Sequence, residues 1–272
     1  MLIAPLGAQI RTVFNSQVNV LPVVRHLCGF YPRQFAASFP GSTDARGVPT
    51  RWDPEEVTAQ EALKAALRDL LSPAARSHGY KGSAPTWRKS STPGDWAVVS
   101  IQSSSWSTSE SLRCVVNLAF APDPWLRWER EHLGAGMPKS VTESLGLYRE
   151  RLHPEGTPEK TDGWWEVSDP ESARLAVADM KIQLDRAGWP ILDGMFSREA
   201  MLARLHEGDL GMMKQSNSGV FFARAEALLL MDAGPTEALE SRLSYALENV
   251  LPTQREHAER FDAWVRSQAA RA

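Results

Sequence analysis

The 272-residue chain carries 30 Lys and Arg against 33 Asp and Glu, a formal charge of −3, with 43% hydrophobic and 23% charged residues. This is the make-up of an ordinary globular protein, long enough for one large domain or two small ones, and it offers no positive field to draw nucleic acid or an anionic membrane. No apolar run approaches the ~20 residues of a membrane span. The two cysteines, Cys28 and Cys114, suggest neither a disulfide framework nor a zinc site and point to reduced thiols in a cytoplasmic protein.

From Met1 to Thr43 there is no Asp or Glu, while Arg11, Arg25 and Arg33 are scattered without helical or strand periodicity. Pro5 and Gly7 interrupt the apolar run a secretory signal would need, and no amphipathic transit helix is visible. Residues 1–56 are therefore expected to be a disordered or non-native extension, such as translated upstream sequence. The folded unit is expected to start at Val57, since a bacterial valine codon can initiate translation.

Thr58 followed by Glu61 forms a capping box. Leu63, Ala66, Leu67, Leu70, Leu71 and Ala74 then recur at helical spacing, which predicts an amphipathic helix from Thr58 to about Ser72, weakened or ended by Pro73. His78, in "SHGY", reads mainly as a cation-capable residue near a helix C-terminus, with a ligand or base role as the alternative. Three strands are predicted, at Pro85 to Ser90, Trp96 to Ser104 and Leu112 to Ala121, with "TPGD" as the first turn. In the last of them Leu112, Cys114, Val116, Leu118 and Phe120 share one face and Arg113, Val115, Asn117 and Ala119 the other. That pattern predicts a half-buried antiparallel strand.

"DPWLRWEREHL" turns helical. A Gly- and Pro-bearing connection follows, with one short helix expected between Ser140 and Leu152. Ser168 with Glu171 reads as a second capping box, Pro170 suits a first helical turn, and Leu175, Met180, Ile182 and Leu184 follow in a helix to about Ala187 that "GWPILDGMF" stops. Ser197 caps a helix to about His206, ended by Gly208. Three helices are predicted from there, over 220–233, 236–250 and 252–268, the last with Phe261, Trp264 and Val265 on one face, and no 34-residue repeat signature accompanies them. The fold class is α+β: a small antiparallel β-meander packed against helices, followed by a helical C-terminal part. Residues 57–208 form the α+β domain in this reading, and 209–272 pack on the same domain as C-terminal helices.

"ARSHGYKGSAPTWRK", "WAVVSIQSSSW", "LRCVVNLAFAP", "GWWEV" and "GWPILDGMFSREAMLARL" together resemble a bacterial family known as domain of unknown function 4304, over roughly Val57 to His206. The resemblance implies a compact α+β domain in a bacterial cytosol. It implies no catalytic residues, so none is carried over.

The residues themselves show little catalytic chemistry. There is no phosphate-loop, dinucleotide, H-E-x-x-H, C-x-x-C or G-x-S-x-G motif, and no two of the six histidines stand at a metal-ligand spacing. Glu129 and Glu131 around Arg130 read as a solvated helix face, and the glycines of "EGDLGMMK" read as a helix stop. No cofactor or metal is expected.

The positive signal is aromatic. Ten tryptophans supply stiff contact area with a donor at the edge, a chemistry enriched at interfaces. If Ala97, Val99 and Ile101 face the first helix, then Trp87, Trp96, Gln102, Arg113 and Asn117, with Trp106, line the opposite sheet face as a binding surface for another protein or peptide. The opposing expectation is that the C-terminal helices cover that face and make its tryptophans core. The functional expectation is a non-enzymatic bacterial protein-binding module, of the kind that neutralises a partner or toxin by occlusion. The alternative is a small-molecule binder or enzyme with a pocket between sheet and helices, using His78, Gln102 or Arg113. Binding of single-stranded nucleic acid by stacking is disfavoured by the charge.

Overall fold

The computed structural model describes residues 57–91, 94–159, 161–212 and 219–272; the expectations for residues 1–56, and Thr92 and Pro93 of the first turn, lie outside them. The first helix, α1 (Ala59–Ala66), starts as its capping box dictates: the Glu61 amide donates to Thr58 Oγ1 at 3.3 Å and the Thr58 amide donates to the Glu61 carboxylate at 3.1 Å. Pro73 does not end it. The chain passes through a π-helical turn, Leu67–Leu71, and continues as α2 (Ser72–Ser77). Proline has no N–H to donate, and its ring presses on the carbonyl four residues back. One wider turn relieves that conflict, with the Ser72 amide, directly before the proline, donating to the Leu67 carbonyl.

The same device recurs downstream. Helix α4 (Pro170–Gln183) passes through a second π-turn, Leu184–Gly188, and continues as α5 (Trp189–Gly194); here the Trp189 amide, directly before Pro190, donates to the Leu184 carbonyl. The expected stop at "GWPILDG" is therefore corrected to a widened continuation. The N-cap of α4 is Asp169 rather than Ser168, with Ser172 completing the box. Its buried side is Ala173, Ala176, Val177 and Met180, whereas Leu175 and Ile182 are exposed.

Between these helices runs a six-stranded antiparallel sheet in the order β1 (Lys81–Ser83), β2 (Thr86–Ser90), β3 (Trp96–Ser103), β4 (Leu112–Ala121), β5 (Tyr148–Leu152). The sixth strand, β6 (Trp165–Val167), also pairs with β4: it takes Leu112–Cys114, while β5 takes Val116–Phe120. The α+β class holds, with a larger sheet than the sequence predicted. "YRERL" is a strand and not part of a short helix; the only helical turn near it is the 3-10 turn Glu143–Leu145. A side of β5 is met by Leu210 and Gly211 through a parallel bridge to Arg149. Gly211 has φ +62°, and a Cβ there would fall 2.0 Å from the Arg149 carbonyl oxygen, so the approach requires glycine.

One sheet face makes the main core. Leu112, Cys114, Val116, Leu118 and Phe120 meet Ala97, Val99 and Ile101, and all pack with Leu63, Leu67 and Leu71 and with Val177, Met180, Leu184, Trp189 and Leu192. Burial pushes the Cys114 thiol up to about 12. On the other face, β4 is not half-exposed as its alternation predicts: every residue but Arg113 is buried. Helix α3 (Asp123–Leu133) and the segment after it lay Leu126 and Leu145 on Ala121, with Trp96, Leu133, Met137 and Val141 around them.

Helix α6 (Arg198–His206) is capped by Ser197 and closed by Gly208 at φ +70°. Helix α7 (Gly219–Leu230) joins the main core through Ala225 and Leu229. Its Ala227 and Leu228 form a further cluster with Trp128 of α3, with Leu239 and Leu243 of α8 (Glu237–Glu248), and with Phe261, Val265 and Ala269 of α9 (Arg255–Ala269).

Candidate functional site

The strand register decides which predicted site residues meet. Trp87 pairs with Val99, so it shares the core face and is fully buried. Its assignment to the opposite face is corrected: side chains of directly paired residues lie on the same side of a sheet. Trp96 does lie on the second face, yet it stands six residues from Gln102, about 20 Å along the strand, and packs half-buried against the α3 segment.

Gln102, Asn117 and Arg113 come together at the opposite end of that face, and Trp106 lies in the adjoining β3–β4 turn. Asn117, 6% exposed, donates through Nδ2 to Gln102 Oε1 at 2.8 Å and accepts at Oδ1 from Arg151 Nε at 3.4 Å. Arg151 then holds Asp162 with Nη1 at 2.9 and 3.0 Å and lies 5.6 Å from the Trp164 ring. The result is a polar chain, Gln102–Asn117–Arg151–Asp162, which the strand pattern announced only at its first two members. Arg113 pairs with Glu166 of β6 at 3.0 Å, both side chains more than half exposed. Such a pair is worth little to stability and is open to exchange.

The turn beyond is anchored by backbone bonds. Ser104 N–H donates to the Arg113 carbonyl at 2.8 Å, and Ala59 N–H donates to the Ser109 carbonyl at 2.9 Å. On this anchored turn the Trp106 side chain stands 90% exposed. Every other described tryptophan is buried or half-buried. The helices α6 and α7 pack into the main core, the second face is covered by α3 and the residues after it, and at its far end Val115 and Asn117 are buried while Gln102 and Arg113 stay exposed.

A second constellation forms where the two π-turned helices meet. The His78 ring stacks on Trp189, centroids 5.0 Å apart and planes at 21°, and Tyr80 meets Trp189 at 4.8 Å. Asp185, inside the second π-turn, accepts from Trp189 Nε1 at 3.2 Å and from Lys181 Nζ at 2.6 Å, and lies 3.8 Å from His78 Nε2. His78, Lys181 and Asp185 line a groove of about 560 Å³ together with Leu70, Pro73, Ala74 and Ser77. His78 does stand at the α2 C-terminus, but its partners Asp185 and Trp189 were not read from the sequence. The recurring Pro73 and Pro190 behind helical runs are the signal that could have found them. Among the described residues no group of His, Cys, Asp and Glu is arranged to hold a metal ion, and no helix is long and apolar enough to cross a membrane.

Fold and surface thus define an α+β domain with a solvent-facing aromatic turn. Residues 71–194 match the model of a family described as a domain of unknown function, DUF4304. The match takes in the whole sheet and α2 to α5, a shorter span than the Val57 to His206 of the sequence resemblance. No curated protein and no solved structure matches the chain.

Proposed function

We propose that this is a non-enzymatic protein-binding module of a bacterial cytoplasm, which acts by covering part of a partner or toxin, and that its contact surface is the far end of the second sheet face. The reading rests on one observation: Trp106, 90% exposed, is held on an anchored turn beside the exposed Gln102 and Arg113. A bare indole in water gives up about 25 cal/mol for every Å² of apolar surface it leaves uncovered, and tryptophan with arginine is the composition of interface hot spots. The partner suited to this surface is a polypeptide that lays an apolar side chain on Trp106 and takes hydrogen bonds from Gln102 and Arg113. Strand β2 leaves β3 after Thr86↔Ser100, so the segment can approach along the Gln102–Ser103 edge.

The test is site-specific photo-crosslinking of the full chain in its own cell, with the crosslinker at the exposed Ser105 beside the intact Trp106 and, as control, at the exposed Ile182 of α4. One protein captured at 105, absent at 182, and lost when Arg113→Ala is added would support the module. Equal or empty capture at both positions would sink it.

A second reading, a small-molecule site, is favoured by the groove in which His78, Asp185 and Lys181 converge beside Leu70 and Ala74. A metabolite that raises the melting temperature of the wild-type chain but not of His78→Gln would carry it. No such metabolite in a broad screen would remove it.

A further inference from the structure

Arg224 of α7 is a guanidinium with no anion. Its Nε and Nη2 are buried without a hydrogen-bond partner, and its charged group lies 5.5 Å from the Phe261 ring. Desolvation pulls its proton affinity below the ordinary arginine value. Buried polar atoms without partners are rare enough to call for an explanation, an ion among them.

The groups around it include two histidines and a second arginine. From α3 comes His132, and from α9 come His257 and Arg260. The His132 and His257 rings stand 4.9 Å apart, both against Trp128, and Arg260 Nη2 lies 3.2 Å from His257 Nδ1. Of the acids on the surrounding helices, Glu226 is tied to His206 and Arg242, Glu259 to Arg255, and Asp262 to Arg266 through Oδ2, its Oδ1 being buried without a described partner; Glu131 of α3 and Glu256 of α9 are exposed, and desolvation holds the half-buried Glu129 of α3 above the usual carboxylate range. Among the described residues, none of these four cationic or cation-capable groups has a carboxylate partner. His132 and Arg260 are exposed and His257 half-buried, so the cluster opens to solvent with Arg224 beneath it.

We propose that the junction of α3, α7 and α9 is a binding site for a small oxyanion of the sulfate or phosphate class, held by His132, His257 and Arg260 above the uncompensated charge of Arg224. The anion offsets the repulsion that keeps His257 neutral. Desolvation first, then Arg224, His132 and Arg260, depress its folded-state value to about 4 from 6.5. An imidazole lowered in this way subtracts stability as the pH falls from 6.5 through 4, because the unfolded chain takes up a proton that the folded chain refuses. A bound anion restores that proton, so affinity rises with acidity across this window, up to tenfold per pH unit for one proton taken up.

The experiment uses the full chain and sulfate, an anion of constant charge across the range, with chloride holding the ionic strength. Histidine and indole resonances are followed by NMR at about pH 7 and about pH 5. Saturable shifts at Trp128, His132 and His257, tighter at the lower pH and lost in His132→Gln/Arg260→Gln, are the expected result. Acetate in place of sulfate tells whether a carboxylate serves as well, and weaker saturation with acetate is expected. Arg224→Met removes the buried charge and is expected to melt higher than wild type without sulfate and to lose the response. Linear, unsaturable shifts in the wild type, or undiminished ones in the double variant, would overturn the site.

Discussion

The two faces of the sheet obey the same alternation and meet different fates. On the core face Trp87, Val99, Leu118 and Phe120 are covered from end to end by α1, α4 and α5. On the other face cover stops partway: Trp96 and Ala121 lie beneath the α3 segment, while Gln102, Arg113 and the turn bearing Trp106 meet solvent. Period-two alternation sorts side chains between faces, but burial depends on what is laid over each face. Here one face is packed by α1, α4 and α5 together with α6 and α7, and the other by α3 and an irregular strap.

Breaking that contrast begins with its most buried tryptophan. Trp87→Ala empties a site on the core face and is expected to cost about 3–5 kcal/mol, measured as a lower urea midpoint with an unchanged slope. An effect below about 1 kcal/mol would mean that β2 is not docked as described. Next in size is Asn117→Ala on the second face, which leaves Gln102 and Arg151 short of a partner at a nearly closed position. Its expected cost is about 1–3 kcal/mol by the same unfolding experiment. Asn117→Asp supplies only acceptors, keeps the bond from Arg151, and is expected to fall nearer wild type. The smallest effect belongs to the open end. Trp106→Ala and Arg113→Ala are each expected to stay within about 0.5 kcal/mol of wild type while abolishing capture of the partner. A large loss of stability in Trp106→Ala would show that the indole is structural and would reverse its assignment to the open surface.

Much of the frame was legible. The Thr58–Glu61 box, the strand β3 and the ten-residue strand β4, Ser197 at the head of α6 and the three C-terminal helices all carry local signals that the fold obeys. The misreadings share a cause. A regular α-helix is weakened or ended at Pro73 and stopped at "GWPILDGMF" in the sequence pattern, yet a single π-turn passes both prolines, and packing of the continued helix on the core compensates for the irregularity. Strand β5, Tyr-Arg-Glu-Arg-Leu, lies where the sequence predicts a short helix between Ser140 and Leu152, because charged side chains hide a strand's periodicity. Of the proposed surface, Gln102, Asn117 and Arg113 share one sheet face, as strand parity implies. Trp87 was misplaced because parity within one strand does not fix its register against the next, and the Arg151–Asp162 arm was missed because it arrives on β5 and the loop after it.

Sequence alone determined the local decisions: where most helices start, which residues of β3 and β4 share a face, and that no strong cationic field or membrane-length helix accompanies the described fold. Those follow from hydrogen bonds and side-chain directions within a few residues. Only the tertiary structure decided that Trp87 is core and Trp106 bare, that His78 stacks on Trp189 beside Asp185, and that Arg224 lies against Phe261 with two nitrogens buried and without a partner among the described residues. Each of these depends on segments distant in sequence arriving at one place, and burial and electrostatics are properties of that place rather than of any residue in it.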